Sequence, residues 1–250
     1  MDAVKNNMSE KELLLELKGI SFGFPEKEPL YLQTGLSLCK GQNLGFWSPN
    51  GSGKTTLFKI ITGLIQPQEG EIFLKGKPIS SESDFRELRL KVGFVLQHSD
   101  DQLFFPEVID DVSFGPLNLG FSEEEALSAS INALERLGIS SLAHSLSFEL
   151  SGGQKKLVTL AAVLSMNPEI LLLDEPSNGL DEKSRHLLIS QINSLDCAKI
   201  IISHEPELLI ETCDSFITIQ EKKILPVPAP TIHEHRHAHF FGGTAHTRGS

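Results

Sequence analysis

The stretch FWSPNGSGKTTLFKIITGL, Phe46 to Leu64, constrains this chain more than any other. An apolar segment (Leu44 to Trp47) runs into a glycine-rich turn. The spacing of Leu57, Ile60, Ile61 and Leu64 at i, i+3, i+4 and i+7 predicts an amphipathic helix directly after it. Strand, turn and helix around G-x-G-K-T describe a phosphate cradle. Gly51 and Gly53 let the backbone wrap an anion with no Cβ in the way, so successive N–H groups converge on the oxygens of a triphosphate. The helix N-terminus adds its partial positive charge at the same place. Lys54 can then reach the β- and γ-phosphates, and Thr55 can offer its hydroxyl to Mg²⁺. The full pattern asks for glycine at position 48, where this chain has Ser48. That substitution is expected to be tolerated, because the phosphate-facing N–H groups belong to residues 51–55 and serine adopts most turn conformations. Alone, the segment predicts nucleotide binding and nothing finer.

The 250 residues fit one large domain, or one domain with a subdomain inserted in it. A net charge of −11 argues against free nucleic acid as the main partner, since phosphate backbones demand a basic face. The three cysteines (Cys39, Cys197, Cys213) are isolated, which suits small buried side chains in a reducing compartment. No apolar run approaches the roughly 20 residues that span a bilayer, and the polar N-terminus is unlike a signal peptide. A cytoplasmic protein that reaches the membrane only through a partner is expected.

Glu12 to Trp47 reads as β-rich, with turns expected at Gly19, Pro25, Gly35 and Gly41. Gln66 to Gly70 is a turn cluster, EIFLKGKPI a hairpin bent at Gly76, and Lys91 to Gln97 a buried strand with a polar end. Between about His98 and Leu150 the texture becomes helical. Ser122 and Glu125 form a capping-box signal, Leu127, Ile131, Leu134 and Leu137 are placed on one face, and Gly138 closes the helix. From Ser151 helices alternate with strands at 169–173 and 199–202, which implies a parallel sheet covered on both faces. A proline-rich exit is expected after Leu225. The division is thus a polar extension (1–11), a nucleotide-binding domain (12–225) with a helical block at about 98–150, and a Pro/His-rich tail (226–250).

Asp174 and Glu175 follow four apolar residues of an expected central strand, the end at which α/β sheets place ligands. Asp174 suits Mg²⁺ binding through water, and Glu175 suits polarisation of an attacking water. LSGGQ, Leu150 to Gln154, sets Ser151, Gly152 and Gly153 at a helix N-terminus, a second anion site. One nucleotide does not need two cradles. The second is therefore expected to cap the γ-phosphate of a nucleotide held by another subunit, in a two-fold dimer.

With these motifs on the page, the sequence resembles the ATP-binding cassette superfamily from about Leu13 to Leu225. SPNGSGKTT corresponds to Walker A, Gln97 to the Q-loop, LSGGQ to the signature, ILLLDEP to Walker B, Ser177 to Asp181 to the D-loop and His204 to the switch histidine. Phe24 falls where the family stacks an aromatic ring, usually tyrosine, on adenine, and a phenyl ring keeps that face. The resemblance implies an α/β P-loop NTPase core with an N-terminal antiparallel β subdomain and an inserted helical subdomain. It implies ATP binding by Phe24, Asn50, Gly51, Ser52, Gly53, Lys54, Thr55, Thr56, Ser151, Gly152, Gly153, Gln154 and Asp181. Mg²⁺ falls to Thr55, Gln97 and Asp174, and catalysis to Glu175, His204, Gln97 and Lys54. The implied partners are a second ATPase subunit, identical or paralogous, and integral-membrane transporter subunits.

Gln97 to Ser122 (QHSDDQLFFPEVIDDVSFGPLNLGFS) resembles the energy-coupling-factor importers, in particular their cobalt-class ATPases, although Leu157 stands where arginine is common. That resemblance puts Asp101, Gln102 and Phe104 near the surface that receives a membrane subunit; plain packing of the helical block is the alternative. The tail holds five of the nine histidines, and His233, His235, His237 and His239 alternate along an extended chain in a way that suits Ni²⁺, Co²⁺ or Zn²⁺. It reads equally as an unfolded extension or as an appended segment. Rival functions are a vitamin or other small-molecule importer, an exporter, a non-transport cassette protein, and a nucleotide-binding module without turnover.

Overall fold

The computed structural model describes residues 12–230, so the N-terminal extension and the four alternating histidines of the tail lie outside the described residues. Along the chain come strands β1 (Leu13–Phe22), β2 (Tyr31–Cys39) and β3 (Asn43–Phe46), then helix α1 (Lys54–Ile61). Strands β4 (Glu69–Leu74) and β5 (Lys77–Ile79), helix α2 (Glu82–Lys91) and strand β6 (Val92–Val95) follow. The helical block holds α3 (Val108–Asn118) and α4 (Glu123–Arg136), and α5 (Gly152–Leu164) succeeds it. The remainder alternates: β7 (Ile170–Asp174), α6 (Glu182–Ser194), β8 (Ala198–Ile202), α7 (Pro206–Thr212), β9 (Ser215–Gln220) and β10 (Lys223–Val227).

Two sheets result. An antiparallel one has the order β2-β1-β4-β5, and a six-stranded one the order β10-β9-β3-β8-β7-β6 with only β10 antiparallel. The antiparallel sheet is not wholly N-terminal, since β4 and β5 join it from beyond α1. In β7 the period-2 alternation assigns the layers. Ile170 and Leu172 pack with α1 and the antiparallel sheet, among Leu15, Tyr31, Phe46, Leu57 and Ile61. Leu171 and Leu173 pack with the helices on the other face, among Val158, Leu160, Ile192 and Leu208. Both faces are covered, as an apolar parallel strand demands.

Several expectations fail locally. Gly19 and Gly35 are not turns. Gly19 (φ +60°) sits at a bulge where the β1–β2 register shifts, and Gly35 lies within β2, where a Cβ would come 2.8 Å from Leu17 O. Helix α1 ends at Ile61, leaving Leu64 exposed beyond it. On α4 the buried stripe is Ala126, Ser130, Ala133 and Leu134, while Leu127 and Ile131 are 46% and 41% exposed. Small residues let α4 approach α3 closely, and Ser130 Oγ lies 3.0 Å from Ser113 Oγ across that contact. The expected exit after Leu225 is still strand: Pro226 lies in β10, at the sheet edge where a missing N–H is tolerated.

The helical block also explains its own unusual motif. Pro116 inside α3 frees the carbonyl of Val112, and Ser165 Oγ donates to it at 2.9 Å. A Cβ on Gly115 would meet Met166 at 2.8 Å. Gly-Pro thus seats α3 on the end of α5. Buried Asp111 accepts from Phe104 N (2.7 Å), Phe105 N (3.0 Å) and Ser147 Oγ (3.0 Å), pinning the loop ahead of α3. Of the three residues assigned to a partner surface, Asp101 and Phe104 are exposed, but Gln102 turns inward: it accepts from Leu96 N and donates to Phe94 O.

Candidate functional site: a phosphate cradle and a detached half-site

Strands β3, β8, β7 and β6 are consecutive neighbours and parallel, so their carboxyl ends share one edge. Each delivers functional side chains there. Lys54 opens α1 after β3, His204 follows β8, Asp174 ends β7 with Glu175 next, and Gln97 lies just beyond β6. The antiparallel sheet adds a wall through the loop between β1 and β2, which carries Phe24. The result is a cleft of about 620 Å³ lined by Phe24, Asn50, Gly51, Gly53, Lys54, Thr55, Thr56, Gln97, Asp174, Glu175 and His204. Sequence reasoning missed Lys27, Leu30, Asn178 and Glu205, which line it too. Asn178 and Glu205 sit inside or beside named motifs, and that adjacency was the available signal.

The cradle is held by its own side chains. Gly53 takes φ +104° as the N-cap of α1, its carbonyl accepts from Tyr31 OH at 2.7 Å, and a Cβ there would press on that hydroxyl at 3.0 Å. Ser48 is fully buried and is not among the residues at positive φ, so the backbone there does not require glycine. Lys54 Nζ donates to Ser48 O (2.6 Å) and Pro49 O (3.1 Å) and lies 3.3 Å from His204 Nε2. Burial pushes the Lys54 amine below the usual lysine range, with the charges of Glu175 and Asp174 opposing.

Thr55 Oγ1 donates to Asp174 Oδ2 at 2.6 Å. Burial raises the Asp174 carboxyl, and the Thr55 hydrogen bond and the Lys54 charge oppose that shift. Glu175 occupies the left-handed region at φ 48° although a proline follows it, a strained placement for a residue that carries a Cβ. Its Oε2 accepts from His204 N at 3.2 Å. Its Oε1 lies 3.2 Å from His204 Nε2, yet accepts no well-directed hydrogen bond though buried. Burial raises the Glu175 carboxyl above its ordinary range, against the pull of His204. Beyond it, Glu205 accepts from Ser177 Oγ (2.9 Å) and Arg185 Nε (2.6 Å), joining the loops after β7 and β8. Phe24 is 40% exposed, with its ring edge-to-face on Phe22 at 5.1 Å.

Ser151, Gly152, Gly153 and Gln154 do not line this cleft. Ser151 caps α5 in a capping box with Gln154: its Oγ accepts from Gln154 N, and Gln154 Oε1 accepts from Ser151 N at 2.8 Å. A Cβ on Gly153 would meet Ser184 Oγ at 2.7 Å, whereas one on Gly152 would meet nothing within 4 Å. Asp181 also stands outside the cleft, as the N-cap of α6, and its hydrogen bond from Ser184 N holds its carboxyl below the ordinary range. Ser52 keeps a buried hydroxyl without a partner.

A glycine-rich strand-to-helix turn, a lysine at its end and a strand-terminal Asp-Glu pair on the neighbouring edge define a P-loop nucleotide-hydrolysing cassette. The ABC transporter family model matches residues 32–178. A Nitratidesulfovibrio vulgaris protein, provisionally described as an ABC transporter ATP-binding protein, is 42% identical over 238 residues, 95% of this chain and 87% of that one. The energy-coupling factor transporter ATP-binding protein EcfA of Methanocaldococcus jannaschii is 36% identical over 221 residues, 87% of this chain and 79% of its own. Among solved structures, CbiO1 of Clostridium perfringens, described as part of the ABC transporter complex CbiONQ, superposes with a TM-score of 0.77 at 32% identity. That match covers 86% of this chain and 88% of the other. The chain belongs to the ABC transporter family, as an ATP-binding and ATP-hydrolysing cassette similar to the energy-coupling-factor subunits.

Proposed function

We propose that two such cassettes, identical or paralogous, close face to face on two ATPs and power import through integral-membrane partners of the energy-coupling-factor type. One observation carries this reading: the signature residues stand outside the cleft whose phosphate they would cap. Ser151 to Gln154 then meet the γ-phosphate held in the opposite chain. Phe24 stacks on adenine, and Asn50 to Thr56 cradle the phosphates. Lys54 exchanges its two loop carbonyls for phosphate oxygens. Asp181 takes part from the facing D-loop.

The donors available to a divalent cation are the Thr55 hydroxyl, the Asp174 carboxylate and the Gln97 amide oxygen. An all-oxygen set with one carboxylate fits Mg²⁺ shared with substrate phosphates, and the 2.6 Å Thr55–Asp174 contact already gathers two of the three. Held by these residues, Mg²⁺ would supply charge neutralisation to the phosphate oxygens. Glu175 accepts a proton from the attacking water. Its raised carboxyl and its unsatisfied buried Oε1 support that role. His204 holds Glu175 and the transferring phosphate in register.

In this reading the chain works at the cytoplasmic face of the membrane through its partners, which the likeness to energy-coupling-factor ATP-binding proteins supports. Among the described residues no helix is long and apolar enough to cross a membrane. The proposed cargo is a transition metal ion, cobalt or nickel. The alternating tail histidines and the resemblance of Gln97 to Ser122 to the cobalt-class ATPases support it. Equilibrium dialysis with Co²⁺ against the full chain and residues 1–230 tests the tail, and equal uptake by both would remove that support. For the cassette itself, Glu175→Gln should lose about 10²- to 10⁴-fold in turnover while accumulating an ATP-bound dimer on size exclusion. Robust turnover would refute the general base, and an ATP-bound monomer would refute the pairing.

A further inference from the structure

The loop that carries Gln97 leaves the sheet after Val95, so the ladder no longer holds it. Two side chains take over. The Gln102 amide grips Phe94 O and Leu96 N, and one residue on, Gln97 O accepts from Lys156 Nζ. Neighbouring Lys155 reaches Asp100 Oδ1 at 2.6 Å on the same loop. These two lysines are unlike. Lys155 makes a surface pair, whereas Lys156 is 7% exposed.

Lys156 is also in an unfavourable place. It sits near the N-terminus of α5, where the helix dipole opposes a cation, and no acidic residue occupies the first turn. Burying an ammonium there is costly unless it is paired. What offsets the cost is the Gln97 carbonyl and the field of Asp174 and Glu175. A lysine kept against two penalties, bound to the main chain of a residue assigned to metal binding, has the attributes of a positioning group.

We propose that Lys156 is a positioning residue for Gln97, fixing its main chain to the first turns of α5 so that the amide side chain reaches the metal beside Thr55 and Asp174. This rests on the reading of Gln97 as a metal ligand. Removing the ammonium should leave the fold intact, because Gln97 and Lys156 also line a separate cavity of about 240 Å³ where water can serve the freed carbonyl.

The test measures Mn²⁺ affinity by electron paramagnetic resonance, with ATP present, in full chains carrying the hydrolysis-deficient Glu175→Gln background. Gln97→Ala should weaken Mn²⁺ binding about 10-fold, the lower end for supporting residues of metal sites. Lys156→Met and Lys156→Gln should each weaken it to a similar extent. Adding Lys156→Met to Gln97→Ala should cost little more, since the two act as one unit. Lys156→Arg should recover most of the loss, and Lys155→Met should change nothing. Matching melting curves exclude a folding defect, and the paired neutral variants guard against one of them misfolding. If Gln97→Ala binds Mn²⁺ normally, the metal reading falls and takes this proposal with it. If Gln97→Ala is impaired and both neutral Lys156 variants are normal, the proposal alone is overturned.

Discussion

The cradle and the signature segment are both glycine-bearing helix N-termini, yet their surroundings are opposite. Around Lys54 the chain closes on itself: four parallel strands converge, Thr55 holds Asp174, His204 holds Glu175, and buried groups carry shifted pKa values. Around Ser151 the hydrogen bonds are local to one helical turn, and Gly152 faces open space. A site that works within one chain needs its groups preorganised by that chain. A site completed by another chain needs only a rigid, unobstructed N-terminus. The contrast predicts that damage to the first acts in its own chain and damage to the second acts in trans.

The sharpest way to break this comparison is Gly152→Asp. No atom lies within 4 Å of the new Cβ, and an acidic residue suits the first turn of α5, so stability should hold. A carboxylate facing phosphate costs several kcal/mol, and about 1.4 kcal/mol is tenfold in rate, so turnover should fall by about 100-fold or more. ATP affinity of the separate chain should stay near normal. Mixing this variant with Lys54→Met should restore hydrolysis, because one composite site in each mixed dimer is intact; independent sites give about a quarter of normal turnover for a two-fold pair. Recovery absent from the mixture, or full activity of Gly152→Asp alone, would show that the two regions do not meet across chains.

The next effect concerns affinity. Phe24→Ala removes a stacking surface worth about 1–3 kcal/mol per base, so MgATP Kd should rise about 5- to 150-fold with saturated turnover largely kept. Phe24→Tyr should behave normally. A loss of turnover at saturation without weaker binding would take Phe24 out of the base-binding wall.

The same contrast explains what could be read from the sequence. The cradle, the Asp-Glu pair and LSGGQ are short segments whose chemistry is set by local spacing, and their backbone context follows from strand and helix periodicity. His204 is legible only through the family resemblance. What escaped depends on long-range approach. Leu127 and Ile131 look like a core stripe by period, but Ala126, Ser130 and Ala133 win the interior because α3 comes close. Gly35 reads as a turn until Leu17 O is found against it. Helix α2 has a complete capping box at Ser81 and Asp84, but only Phe85 and Leu88 buried, too few apolar residues for a periodic signal. Lys156 meets Gln97 across 59 residues of sequence, a pairing no spacing rule reaches. In the helical block Gln102, Gly115 and Pro116 serve internal clamping and helix packing.

The smallest effect tests whether the cradle stores strain for chemistry. Burial raises the Glu175 carboxyl, so the folded chain binds that proton more tightly than the unfolded chain does. Stability from this group is therefore complete below the unfolded value, about 4.3, and is lost as pH rises through the folded value. At pH 7.5 the wild-type chain carries the full penalty of an ionised, partly desolvated carboxylate, and Glu175→Gln does not. The variant should melt higher at pH 7.5, by about 2–4 °C for each kcal/mol relieved in a domain of this size, and the gap should narrow as pH falls toward 4.5. The signature segment supplies the control: Gly152→Asp, with its carboxylate facing solvent, should show no such narrowing. A Glu175→Gln melting point below wild type at pH 7.5 would mean that the bonds from His204 outweigh desolvation, and that the carboxylate is a structural tie rather than a poised base.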